Sequence, residues 1–91
     1  MENLLSMLKV DLGIMTATAY DDRLLQMISA SIAAIKAEGA TTLDADNLND
    51  AQLIIMYAAW LWRKRDSGEG MGRMLRWALN NRVLAEKAAS V

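Results

Sequence analysis

Cysteine and histidine are both absent from this 91-residue chain. Without cysteine there are no disulfides and no thiolate metal sites. Without histidine the commonest metal ligand is missing, together with the usual general base near neutral pH. Phenylalanine and proline are absent as well, and three tryptophans and two tyrosines are the only aromatic residues. No apolar run approaches the ~20 residues that span a bilayer. The longest, Leu53 to Trp62, is ten residues. Near the start, Glu2 precedes any base and Lys9 interrupts the apolar residues, which is not the pattern of a secretory leader. The expectation is a protein made in a cytoplasm, with no membrane partner, no cofactor and no metal.

Size sets a further constraint. A chain this short suits a single domain over residues 1–91. It buries only roughly 60–65% of the surface its unfolded form exposes, so its own core is marginal. Small proteins offset that deficit with disulfides, metals or partners. With the first two removed by composition, oligomerisation is expected.

The net charge of −1 conceals an asymmetry. Residues 1–50 carry eight acids against three bases, whereas residues 51–91 carry seven bases against three acids. Sign-split halves suit head-to-tail assembly, or give the basic half affinity for an acidic partner. Acids near helix starts and bases near helix ends, where the macrodipole favours them, account for the same split more simply.

The five glycines fall where helices stop or start, and they divide the chain into four helical segments. The first spans residues 2–12, with Leu4, Leu5, Leu8 and Leu12 on one stripe and Gly13 closing it. The second spans 21–38. Asp21 is expected to cap it, Tyr20 to staple against Leu25, and Leu24, Ile28, Ile32 and Ile35 to form its apolar face. The third spans 48–66, opened by a capping-box pattern at Asn49 and Gln52. Its run from Leu53 to Trp62 has no polar face, which predicts a central hydrophobic helix needing cover on every side. Residues 67–72 read as a flexible glycine-rich linker. The fourth segment spans 72–89, with Met74, Leu75, Ala78, Leu79 and Val83 on its apolar side. Strand-like alternation is nowhere convincing, and the fold class is all-α, a small bundle of about four helices.

Candidate sites are weak. Glycines at 68, 70 and 72 lack the Lys-Ser or Lys-Thr ending and the preceding strand of a phosphate-binding loop. Asp21/Asp22 and Asp44/Asp46 do not begin a calcium-loop pattern and read as caps and solvated loop. No serine, threonine or tyrosine has a histidine to activate it, so the expectation is a protein that is not an enzyme. Arg63, Lys64, Arg65, Arg73, Arg76 and Arg82 with Trp77 have the chemistry to neutralise phosphates and stack on bases. The isoelectric point of about 5.2, however, lies below the range of a dedicated nucleic-acid domain. At most, non-specific contact with DNA is expected. Trp60 and Trp62, two residues apart on a helix, point roughly 200° from one another. One can serve the core while the other serves either the core or a partner surface.

The third segment, Ala51 to Arg65 (AQLIIMYAAWLWRKR), is hydrophobic and ends in an aromatic and basic cluster. With the short first helix and the aliphatic second, it resembles the head–tail connector (adaptor) proteins of tailed bacteriophages. The stretch Met71 to Arg82 (MGRMLRWALNNR) is similar to the ending of one branch, in which Met-Pro-Arg-x-Leu is common; here Gly72 stands at the proline's place. The resemblance covers about residues 3–85. It implies a structural virion protein at the head–tail junction, forming a homo-oligomeric ring, often about dodecameric. Such a ring docks beneath the portal protein, carries tail-side connector or stopper proteins, and passes DNA through its lumen. The alternative is a small helical regulator binding DNA or protein. Helix three is too apolar for a recognition helix, and helix four follows a glycine linker rather than a short turn.

Under the connector reading, assembly falls first to Trp60, Trp62, Arg63 and Arg65. Met71, Arg73, Met74, Arg76, Trp77 and Arg82 are second candidates, on a basic segment able to order against a portal or a neighbouring ring. If basic and acidic faces join neighbours, converting Arg63 and Arg65 together to Glu should abolish rings in light scattering while leaving the helical circular dichroism intact. Persistence of rings in that variant would defeat the electrostatic part of the reading.

Overall fold

Four helices form in the order the glycines divide them: α1 (Glu2–Leu12), α2 (Asp21–Ala37), α3 (Leu48–Ser67) and α4 (Arg73–Ala89). The computed structural model describes residues 2–14, 16 and 18–89, and among these there is no strand. The chain is an all-α bundle in which α3 packs against each of the other three helices.

Glycine closes the first two helices in the same way. The N–H of Gly13 donates to Val10 O and that of Ile14 to Lys9 O, the paired bonds of a Schellman ending. At α2 the N–H of Gly39 donates to Lys36 O and that of Ala40 to Ile35 O, and Ala40 is carried into the core. Gly39 adopts φ +130°, closed to most L residues, and a Cβ there would meet Val83 Cγ1 at 3.1 Å. Its lack of a side chain thus serves both the turn and the approach of α4.

The helix starts differ from expectation. Tyr20, not Asp21, is the residue before α2, and no side chain caps that end. Asp21 lies inside the first turn and accepts a 2.9 Å hydrogen bond from Lys9 Nζ, which ties α2 to α1. The cap of α3 is Asn47, whose Oδ1 accepts from Asp50 N at 3.2 Å. The box therefore sits two residues before the Asn49/Gln52 pair. Asp50 is drawn to that position because its own carboxylate accepts from Asp44 N in the loop, at 3.0 Å.

The core gathers Leu4 and Leu8 from α1, Leu24, Ile28 and Ile35 from α2, Leu53, Ile54, Ala58 and Ala59 from α3, and Leu75 and Leu79 from α4. Ser31 joins them fully buried, its hydroxyl donating to Met27 O at 2.7 Å, so it leaves no stranded polar group. The run Leu53–Trp62 is not covered on every side: Met56, Tyr57, Trp60, Leu61 and Trp62 remain half-buried. Met74, expected on the core side of α4, is 69% exposed. It lies one residue, about 100°, from the buried Leu75, which carries it out of the core. The outline is a slab of 45 × 27 × 17 Å, little thicker than two packed helices. No helix is long and apolar enough to cross a membrane.

Gly39→Ala is expected to cost about 1–3 kcal/mol, because φ and the Val83 contact both resist a side chain. Gly70→Ala, with nothing near the added methyl, should stay within about 0.5 kcal/mol of the parent. Urea midpoints of the two variants decide the matter.

Candidate assembly surface

The residues assigned to assembly fall into three groups, and the structure gives them different surroundings. At the end of α3, Trp60 and Trp62 point to opposite sides, as two-residue spacing requires. The Trp62 ring meets Tyr20 edge-on at 5.2 Å between centroids, and the Arg65 guanidinium lies 3.6 Å above it. Trp60 meets Tyr57 edge-on at 5.4 Å, carries Lys64 over its face at 4.4 Å, and donates from Nε1 to Glu69 O at 3.3 Å. The basic cluster thus sits on two indole faces, where ring quadrupoles attract cations. Arg65 also donates to Trp62 O at 2.7 Å, satisfying a carbonyl near the helix end.

The linker at 68–72 folds back over this cluster. Gly68 N donates to Lys64 O, Ser67 Oγ to Arg63 O, and Glu69 N to Ser67 Oγ. Arg63 and Glu69 form an exposed ion pair at 3.7 Å. Such a pair is worth ~1 kcal/mol at most, and it leaves Arg63 accessible. Trp60, Trp62, Arg63 and Arg65 therefore lie at one end of the slab and hold the α3–α4 turn in shape.

Arg82 has a different role. Its Nε donates to Asp50 Oδ1 at 2.8 Å, its Nη2 reaches Thr42 Oγ1 at 3.2 Å, and its Nη1 reaches Glu86 Oε1 at 3.3 Å. Glu86 in turn accepts from the backbone N–H of Thr42 at 2.9 Å and from the hydroxyls of Thr42 and Thr41. The carboxylate of Glu86 is held below its ordinary pKa of 4.5, chiefly by the Thr42 N–H and hydroxyl. The guanidinium of Arg82 is pushed above its ordinary value, first by its hydrogen bond to Asp50. This clasp joins α4 to the α2–α3 loop and to the first turn of α3. Its side chains are mostly buried, so Arg82 is committed within the chain. Thirty-two residues separate it from Asp50, and no local pattern in the sequence announces the pair.

The remaining candidates are on α4. Met71 packs against the core, and Arg76 reaches Glu38 at 3.4 Å. Arg73, Met74 and Trp77 are exposed, Trp77 by 65%. Leu84, two helical turns beyond Trp77, is 61% exposed and was not among the sequence candidates. Spacings of three and seven place Met74, Trp77 and Leu84 on one outward stripe. A heptad count along α4, rather than a search for its core stripe, would have found it. Beside that stripe an apolar groove runs between α1 and α3, lined by Met7, Val10, Ile55 and Met56, with Asp11 at its edge. Among the described residues no group of acidic side chains is placed to hold a metal ion.

Removing the clasp should be costly. Arg82→Ala is expected to lose about 2–3 kcal/mol, since it strands the Asp50 carboxylate with its charge unmatched. Because folding lowers the pKa of Glu86, its contribution is present above its unfolded pKa and disappears as the pH falls through the folded one. The urea midpoint should therefore decline on acidification below pH 4.5. Glu86→Gln should lower the midpoint at pH 7 and flatten that decline; an unchanged acid limb would assign the pH dependence to other carboxylates.

Comparison with family models, with curated proteins and with solved structures finds no match for this chain.

Proposed function

We propose that the chain is a structural subunit of a phage head–tail connector, assembling as a ring beneath the portal. The observation that carries this reading is the outward stripe of α4, where Met74, Trp77 and Leu84 are each more than 60% exposed on a four-helix slab. Contiguous exposed apolar side chains of this size mark interaction surfaces in soluble proteins. Tryptophan and methionine are among the residues that interfaces favour. The sequence resemblance of residues 51–65 and 71–82 supplies the identity of the assembly.

In that role the side chains bind and position; none is asked to react. The exposed Arg73 and Arg76 are suited to the phosphates of passing DNA, a contact without base specificity. The aromatic and basic end of α3, held by Glu69 and Tyr20, offers a stiff surface for the portal or a tail-side protein. Localisation at the head–tail junction of the virion, after synthesis in the bacterial cytoplasm, follows from the same reading.

Light scattering over a hundredfold range of concentration, with and without the portal protein of the same phage, tests it. A closed species of many subunits, formed alone or on the portal, is the expected result. A strict monomer in both conditions overturns the reading. A monomer or dimer that shifts one DNA duplex in preference to others, with salt dependence, replaces it by a helical regulator.

A further inference from the structure

Resting on the assembly reading above, we propose that the outward ridge of α4 seats in the α1–α3 groove of a second copy of this chain. The ridge is Met74, Trp77 and Leu84; the groove is walled by Met7 and Val10 of α1 and floored by Ile55 and Met56 of α3.

The ridge faces away from its own core. Leu75 and Leu79 are buried beneath α4, whereas Trp77 and Leu84 lie about half a turn round from Leu75. Its own chain cannot cover it without turning the helix over. The groove is open to solvent from the other side, and Val10 at its lip is 61% exposed. Convex apolar surface and concave apolar surface are thus present on one chain in different places. The contact they make is head-to-tail, the kind that closes into a ring or runs on as a filament.

Charge selects the same pairing. Among the described residues lining the groove, Asp11 alone is charged. The ridge is edged by Arg73, exposed and next to Met74. An acid at the groove and a base at the ridge favour groove against ridge and disfavour ridge against ridge, where arginine would face arginine. Three methionines, Met7, Met56 and Met74, lie at the contact, and their unbranched side chains adapt to a ring of bulky knobs.

Area is consistent with one such contact. A folded protein of 10.1 kDa exposes roughly 5,300 Å² by the usual scaling. This chain exposes 5807 Å², an excess of about 500 Å² against the ~800 Å² that each partner gives to a standard interface.

The absence of native cysteine makes the test direct. Chains carrying Val10→Cys are mixed with chains carrying Trp77→Cys and treated with a short bismaleimide. Leu84→Cys serves as a second ridge variant, and Lys36→Cys replaces Val10→Cys in the control mixture. All are checked for unchanged circular dichroism before mixing. The expected result is a mixed covalent dimer at least five-fold more abundant than in the control, with both ridge variants. Three outcomes overturn the proposal. Control-level cross-linking alongside large species in light scattering removes this contact while leaving assembly in place. Control-level cross-linking alongside a monomer removes both. Predominant Trp77→Cys self-linking replaces the head-to-tail contact by a two-fold one.

Discussion

The guanidinium of Arg82 is the one group through which the fourth helix reaches both the α2–α3 loop and the start of α3. It binds Asp50, Thr42 and Glu86 together, and Asp50 simultaneously orders Asp44 and completes the cap at Asn47. Without that clasp α4 would rest on α3 through Leu75 and Leu79 alone at full burial. The orientation of its outer stripe would then have no fixed relation to α1. A polar pair on the rim of the bundle therefore decides where the apolar surface of α4 points. Hydrophobic burial holds the helix down, and the ion pair sets its rotation and register.

The same division explains which parts of the fold could be read from residues alone. Helix limits were legible because they are local: Gly13, Gly39 and Gly68 each supply a backbone conformation that ends a helix within one turn. The core of α1 and α2 was legible because leucines and isoleucines at three- and four-residue spacing have one way to share a face. The N-terminal caps were misplaced where two equally good caps stand close together. Asn47 and Asn49 are chemically alike, and only the loop folding back through Asp44 makes Asn47 the one used. Asp21 was a credible cap until Lys9, from another helix, took its carboxylate.

For the assembly surface, the sequence drew attention to the right helix ends and to α4 without separating their duties. Trp60, Trp62 and Arg65 read as sticky from composition, yet their rings and cation satisfy one another and the linker. Arg82 read as one more base in a basic helix, although its partner lies on another element. Met74 read as core because apolar residues on α4 occupy two stripes, and composition does not say which stripe faces in. Leu84 was passed over for the same reason. The groove is legible only in three dimensions, since α1 and α3 each contribute half of it and neither half is concave alone.

The shape of the molecule has a thermal consequence. A slab 17 Å thick has little interior for its length, so unfolding exposes less new apolar surface than it would from a sphere of equal mass. Heat capacity change follows that surface, and globular proteins average about 12–15 cal/mol/K per residue. A subunit below that average has a shallow stability curve: modest at its maximum, and slow to change on either side. What such a chain lacks in depth of stability it keeps over a wide span of temperature, from the cold through the growth range of its host.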